Sequence, residues 1–224
     1  KKITAVYLPA QAGRPTLLFF HGRGGNVSHF ENFAQAYAPL GYGIFMFDYR
    51  GFGLSRGTPS QKTLFEDALS AARYLMSVKK IRPQDLVLYG HSLGNAPALF
   101  TAVTLEKLPF KALILQSPFL STPDMAVCLW KHRYEPCSFL YRATKIFVTP
   151  FLYSNRFDNT LPARRLHLPT LVCMSRADAT IPWRMSARLA DDIPHTVRFL
   201  SASGGHDEFS WAAPAADSFL KKLS

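Results

Sequence analysis

No stretch of this 224-residue chain approaches the roughly 18 consecutive apolar residues of a membrane-crossing helix, and no secretory leader is visible at its start. Cysteine is scarce. Cys128, Cys137 and Cys173 form neither a metal-ligand spacing nor a C-x-x-C pair, which excludes a zinc ribbon and a thioredoxin-like redox centre. Cys173 lies inside an apolar run and reads as a small core residue. Cys128 and Cys137 read as reduced thiols, with a local bridge as the alternative in an oxidising compartment. Acidic residues are also few, 15 against 26 Lys and Arg, for a net charge of +11. No nucleic-acid motif accompanies that excess, so nucleic acid is not an expected partner. Lys131, Arg133, Arg142, Lys145, Arg156, Arg164 and Arg165 face only Asp124, Glu135 and Asp158 between residues 122 and 168. Such a region either docks on anionic lipid, at about 1 kcal/mol per residue, or is a solvated face. Repeats and low-complexity tracts are absent.

With 48% hydrophobic residues, the chain is expected to form one globular domain over residues 1–224. Strand and helix patterns alternate, which predicts a mostly parallel sheet with helices on both faces. Apolar runs at 16–21, 44–47, 86–89, 112–115, 170–174 and 196–200 read as strands. Ser28 with Glu31 reads as a capping box for a helix ending near Gly41. An amphipathic helix after Ser60 places Leu64, Phe65, Ala68, Leu69, Ala72, Leu75 and Met76 on one side. Pro97 falls near the start of a helix, where it sacrifices at most one hydrogen bond.

The segment from Ser121 to Leu168 breaks the alternation and is rich in aromatics: Trp130, Tyr134, Phe139, Tyr141, Phe147, Phe151, Tyr153 and Phe157. Loops of that length usually carry function, and this one reads as a cap over a site. Its aromatics line an acyl pocket or form the cap's own core.

The chemistry starts at Gly90-His91-Ser92-Leu93-Gly94, a G-x-S-x-G pentapeptide between an apolar strand and a helix. A serine on so sharp a turn stands clear of the sheet, and flanking glycines remove the Cβ clashes. A serine hydroxyl needs a base to become nucleophilic. Asp178 follows the strand at 170–174, and His206 follows the strand at 196–200. The order Ser…Asp…His, each just past its own strand, predicts a Ser92–His206–Asp178 triad at the carboxyl edge of the sheet. Asp124 is the fallback acid. The glycine-rich His21-Gly22-Arg23-Gly24-Gly25 after the first long strand is expected to supply half of an oxyanion hole. Its donors would be the backbone N–H groups of Arg23 and Leu93, worth roughly 3–4 kcal/mol each in a dry site. Phe119, just past Ser117-Pro118, is the substrate-pocket candidate, and the Arg23 side chain either crowds the acyl site or meets an anionic substrate group. His21 is expected to bond its own loop, Asp48 and Arg50 to brace the glycine-rich turn, and His91 to occupy a variable position.

Phe20-His21-Gly22, Phe47-Asp48-Tyr49-Arg50-Gly51-Phe52-Gly53-Leu54-Ser55, Leu88-Tyr89-Gly90-His91-Ser92-Leu93-Gly94, Gln116-Ser117-Pro118-Phe119 and the Asp178 and His206 loops span nearly the whole chain. On these stretches it resembles the serine α/β-hydrolases of the carboxylesterase and lipase type, near the monoacylglycerol-lipase-like enzymes and membrane-associated depalmitoylases. The resemblance implies a carboxylic ester or thioester substrate, small or acyl-chain, cleaved through an acyl-enzyme with no metal or organic cofactor. It implies a cap inserted at 121–168 after the family's sixth strand, a first strand upstream of residue 1, and a monomer. The location would be cytoplasmic, or at a membrane through an upstream segment. A peptidase or amidase using the same triad is the alternative, as is a non-catalytic ligand-binding member of the fold.

Overall fold

Strands made of unbroken apolar residues need cover on both faces, and here they receive it. The computed structural model describes residues 3–133 and 155–223. The strands are β1 (Ala5–Leu8), β2 (Thr16–Phe20), β3 (Gly43–Phe47), β4 (Leu86–His91), β5 (Ala112–Gln116), β6 (Thr170–Ser175) and β7 (Thr196–Ser201). The helices are α1 (Glu31–Tyr37), α2 (Gln61–Ser77), α3 (Asn95–Thr104), α4 (Thr122–Arg133), α5 (Thr160–Arg164), α6 (Trp183–Asp191) and α7 (Ala213–Lys221).

These strands form one sheet in the order β1-β3-β2-β4-β5-β6-β7. Among the described residues only β1 runs antiparallel, against β3, and the other pairings are parallel. Strands β2 to β6 are buried along their whole length. Because side chains alternate across a strand, the two faces feed two cores. Leu18, Phe20, Leu88, Leu115 and Val172 pack with Leu64, Ala68 and Leu75 of α2, Leu99 of α3 and Leu189 of α6. On the opposite face Leu17, Phe19, Tyr89, Ile114 and Cys173 pack with Phe33 and Tyr37 of α1 and Phe219 and Leu220 of α7. Cys173 is thus a core residue, and burial pushes its thiol pKa up. This is the mostly parallel sheet, covered by helices on both faces, that the sequence pattern predicts.

Local chemistry sets the helix ends. The Ser60 side chain accepts from the Thr63 N–H, and the Thr63 hydroxyl oxygen accepts from the Ser60 N–H, a reciprocal cap for α2. The box expected at Ser28 lies two residues earlier. Asn26, extended at φ −131°, accepts from the Ser28 N–H, and His29 Nδ1 accepts from the Asn26 N–H. Ser28 already belongs to the 3₁₀ turn Val27–Phe30 that leads into α1, so it cannot hold the extended backbone of a cap. Pro97 sits in the first turn of α3, where its missing N–H removes no intrahelical bond.

The apolar stripe read on α2 conceals a carboxylate. Asp67 is 3% exposed, and its Oδ1 accepts from Arg50 Nε at 2.7 Å while Oδ2 accepts from the Arg50 N–H at 2.8 Å. Arg50 also donates to Glu66 at 2.6 Å; that hydrogen bond is the main reason its pKa is raised. Arg50 therefore anchors its loop to α2, and Asp48 accepts from the Val27 N–H, just past the glycine-rich turn, at 2.8 Å. Arg50→Met should cost about 3–5 kcal/mol by stranding the Asp67 carboxylate. Urea unfolding checks it, and a loss under 1 kcal/mol would mean that Asp67 finds another partner.

Between β5 and β6 the described flanks of the expected cap are α4 and the segment from Asn155 into α5. Residues 134–154, which hold most of the expected cap aromatics, Cys137, Arg142 and Lys145, lie outside the described residues. Phe157 is a core residue, 8% exposed and edge-on to Phe65 at 6.0 Å. Two cations of the basic region are paired: Arg156 with Asp158 at 3.3 Å and Arg164 with Asp192 at 3.0 Å.

Candidate active site

The carboxyl ends of the parallel strands carry every group singled out for chemistry. Ser92 directly follows β4 with φ +52°, a left-handed conformation costing of the order of 1–3 kcal/mol for a residue with a Cβ. The turn is tight enough to require its glycines. A Cβ on Gly94 would collide with the Phe20 carbonyl, and one on Gly90 would lie 2.7 Å from the Asn95 Cα. Asn95, fully buried in α3, donates from Nδ2 to the Ser92 carbonyl at 2.8 Å and to the Gln116 carbonyl at 2.9 Å. One side chain thereby ties the strained turn to the neighbouring strand end.

His206 bridges the other two. Its Nε2 lies 2.9 Å from Ser92 Oγ and its Nδ1 lies 2.9 Å from Asp178 Oδ2. Asp178 Oδ1 accepts from the N–H groups of Thr180 and Ile181, both at 2.8 Å. Burial by itself would raise the Asp178 pKa; the hydrogen bond and charge of His206 and the Ile181 N–H overcome it, so the net shift is downward. The Asp178 side chain is 1% exposed and that of His206 12%. The carboxylate is thus held under the ring, and the ring is open toward the serine.

The loop carrying His206 has no strand partner, and side chains hold its carbonyls. Ser175 Oγ donates to the carbonyl of Gly204 at 2.7 Å, Trp211 Nε1 to Gly205 at 3.3 Å and Asn32 Nδ2 to Asp207 at 2.6 Å. His91 Nε2 lies 2.9 Å from the His206 carbonyl, and Gln116 Nε2 donates to Glu208 at 2.7 Å. His91, at the variable second position of the pentapeptide, is held inside the protein. It is fully buried among Phe30, Phe209 and the His206 ring, and burial chiefly pushes its pKa down to about 3.

On the opposite side, His21 Nδ1 sits 2.7 Å from the Gly22 carbonyl, within its own loop as expected, and burial lowers its pKa. A Cβ on Gly22 would come within 3.1 Å of His91 Nδ1 and 3.2 Å of Ser92 Cβ, so the glycine-rich turn passes directly over the elbow. Arg23 is exposed on that turn, and Leu93 is half-buried in the first helical turn, where backbone donors lack intrahelical acceptors. Phe119, expected beside the acyl site, is 4% exposed and packs with the core cluster of that face. Asp124 accepts from the Ser121 hydroxyl at the start of α4, and the acid bonded to His206 is Asp178.

Among the described residues, His91, His206 and Asp207 form a cluster with one possible metal-ligand atom each. Both ring nitrogens of His206 and the Nε2 of His91 already have hydrogen-bond partners, so this set does not fit a metal.

The sheet and its helices are those of the α/β-hydrolase fold. Residues 11–149 match the protein family described as serine aminopeptidase, S33, and the chain belongs to that family within the α/β-hydrolases. It is 32% identical over 181 residues to the uncharacterized protein YfhR of Escherichia coli K12, an alignment covering 81% of this chain and 58% of that protein. To the lysophosphatidylserine lipase ABHD12 of Danio rerio it is 29% identical over 229 residues, covering 94% of this chain and 58% of the relative. The chain thus spans less than two thirds of the length of these relatives. Among solved structures, the ferulic-acid-bound Est1E of Butyrivibrio proteoclasticus superposes with a TM-score of 0.75 at 15% identity. That superposition covers 99% of this chain and 95% of Est1E, a likeness of fold.

Proposed function

We propose that the chain is a serine hydrolase cleaving carboxylic ester or thioester bonds of small or acyl-chain substrates. One observation carries this reading: the unbroken hydrogen-bond path from Asp178 through His206 to Ser92. His206 Nε2 takes the Ser92 proton as Oγ bonds to the substrate carbonyl carbon, and Asp178 keeps the other proton on Nδ1 and offsets the imidazolium charge. The N–H groups of Arg23 and Leu93 receive the oxyanion. As the tetrahedral adduct collapses, the bond to the alcohol or thiol breaks and the leaving group takes the proton from His206. Water, deprotonated by the same ring, then attacks the acyl-enzyme, releasing the acid and restoring Ser92. No cofactor takes part. The Arg23 side chain, exposed on the glycine-rich turn, crowds the acyl site or meets an anionic substrate group.

The lipase among the relatives favours an acyl ester substrate. The family's description favours a second reading, an aminopeptidase, which needs only that His206 protonate an amine. A panel of p-nitrophenyl esters and acyl thioesters of increasing chain length, run beside aminoacyl anilides, separates the two. A fluorophosphonate probe should label Ser92 stoichiometrically. A folded protein that takes no label would be a ligand-binding member of the fold, and the catalytic reading would be lost. Salt-sensitive binding to anionic vesicles would assign the basic region to a lipid surface.

A further inference from the structure

We propose that His91 and Gln116 act as a two-point clamp on the His206 loop, positioning residues that set the distance from its imidazole to Ser92. The clamp rests on the hydrolase reading of His206 given above.

The two residues are direct partners in the β4–β5 ladder, so their side chains leave the strand ends next to each other. Each reaches a carbonyl of the loop, one that of His206 itself and the other that of Glu208. A carbonyl only accepts, so His91 must carry its proton on Nε2. For Gln116 the orientation is set from behind. Tyr89 donates its hydroxyl proton to Gln116 Oε1 at 2.6 Å, and Tyr37 donates to the Tyr89 oxygen at 3.0 Å. With its oxygen so occupied, the amide must turn its NH₂ toward Glu208. All four side chains are fully buried, where a hydrogen bond is strong and a lost one is costly.

The loop needs such a tether. It begins with Gly204 at φ +106° and Gly205, backbone with little stiffness of its own, and His206 has no ladder partner. A shift of the His206 carbonyl carries the ring with it, and displacement of about 1 Å in a catalytic group can reduce rate by about 10²-fold. His91 suits the task for a further reason. Its ring centroid lies 5.0 Å from that of His206, and burial keeps it neutral. A donor that stayed charged at this distance would oppose the imidazolium formed in each turnover.

The test uses the intact chain. His91→Phe keeps the ring and removes the donor, Gln116→Met removes the second donor, and His91→Gln restores an N–H. Turnover is measured on p-nitrophenyl butyrate per site titrated with a fluorophosphonate, together with the low-field proton resonance of the His206–Asp178 bond. His91→Phe and Gln116→Met should each lower kcat by about 10–100-fold with KM within about twofold, and displace that resonance. His91→Gln should recover most of the rate. Should either truncation fail to fold, Tyr89→Phe removes only the hydroxyl that orients Gln116 and should still lower kcat several-fold. Folded His91→Phe and Gln116→Met with wild-type kcat per titrated site and an unmoved resonance would overturn the clamp. Ser92→Ala run in parallel separates the two ideas: a fully active Ser92→Ala ends the hydrolase reading, whereas an inactive one beside fully active clamp variants ends the clamp alone.

Discussion

Ser92→Ala should lower turnover by roughly 10⁴-fold or more while leaving the melting temperature nearly unchanged. The size follows from what the hydroxyl does. In the proposed mechanism it forms the covalent bond, and among the described residues the hydroxyl at 2.9 Å from His206 Nε2 is that of Ser92. The residual rate would come from substrate binding and the two backbone donors. Stability should hardly change. Alanine meets the same left-handed strain at φ +52° as serine, and Asn95 binds the backbone carbonyl of position 92, not its side chain. Steady-state kinetics on short p-nitrophenyl esters with a thermal melt checks both halves. A purified variant that retains its rate would remove Ser92 from the mechanism.

Asp178→Asn should cost about as much, roughly 10⁴-fold in kcat, with substrate binding little altered. The loss is one of tautomer. The carboxylate only accepts, so it keeps the ring proton on Nδ1 and leaves Nε2 free to take the proton of Ser92. An amide that turns its NH₂ to Nδ1 places the ring proton on Nε2, facing a hydroxyl that must lose its own. The same substitution changes the pH dependence of stability. The Asp178 pKa is lower folded than unfolded, so its contribution is present above the unfolded value, near 3.9, and is lost as pH falls through the folded one. The wild type should therefore lose stability in that acid window more steeply than the asparagine variant. Parallel acid titrations of the two melting curves test the sign, and identical slopes would show that Asp178 is not held below its ordinary value in the folded protein.

Much of this molecule is legible in the chain, and the exceptions share a physical character. The apolar runs of β2 to β6 announce strands covered on both faces, and β4-Ser92-α3 announces the elbow from its glycines alone. Local patterns fail where a polar side chain is buried by a distant partner. Asp67 lies on what reads as an apolar stripe because Arg50 reaches it. His91 and Gln116 carry no signal of periodicity or spacing. Their contacts exist only because a loop 90 or more residues later folds back over them.

From the sequence alone come the strand and helix alternation, the family resemblance and the three residues each placed just past its own strand. These depend on side-chain periodicity and glycine geometry, which are local properties of a chain. The sheet order decided the rest: with β4, β5, β6 and β7 side by side and parallel, their carboxyl ends bring residues 92, 178 and 206 within hydrogen-bond reach. That adjacency, and the buried donors that hold the histidine loop, arise from packing between segments far apart in the chain, which no local pattern encodes.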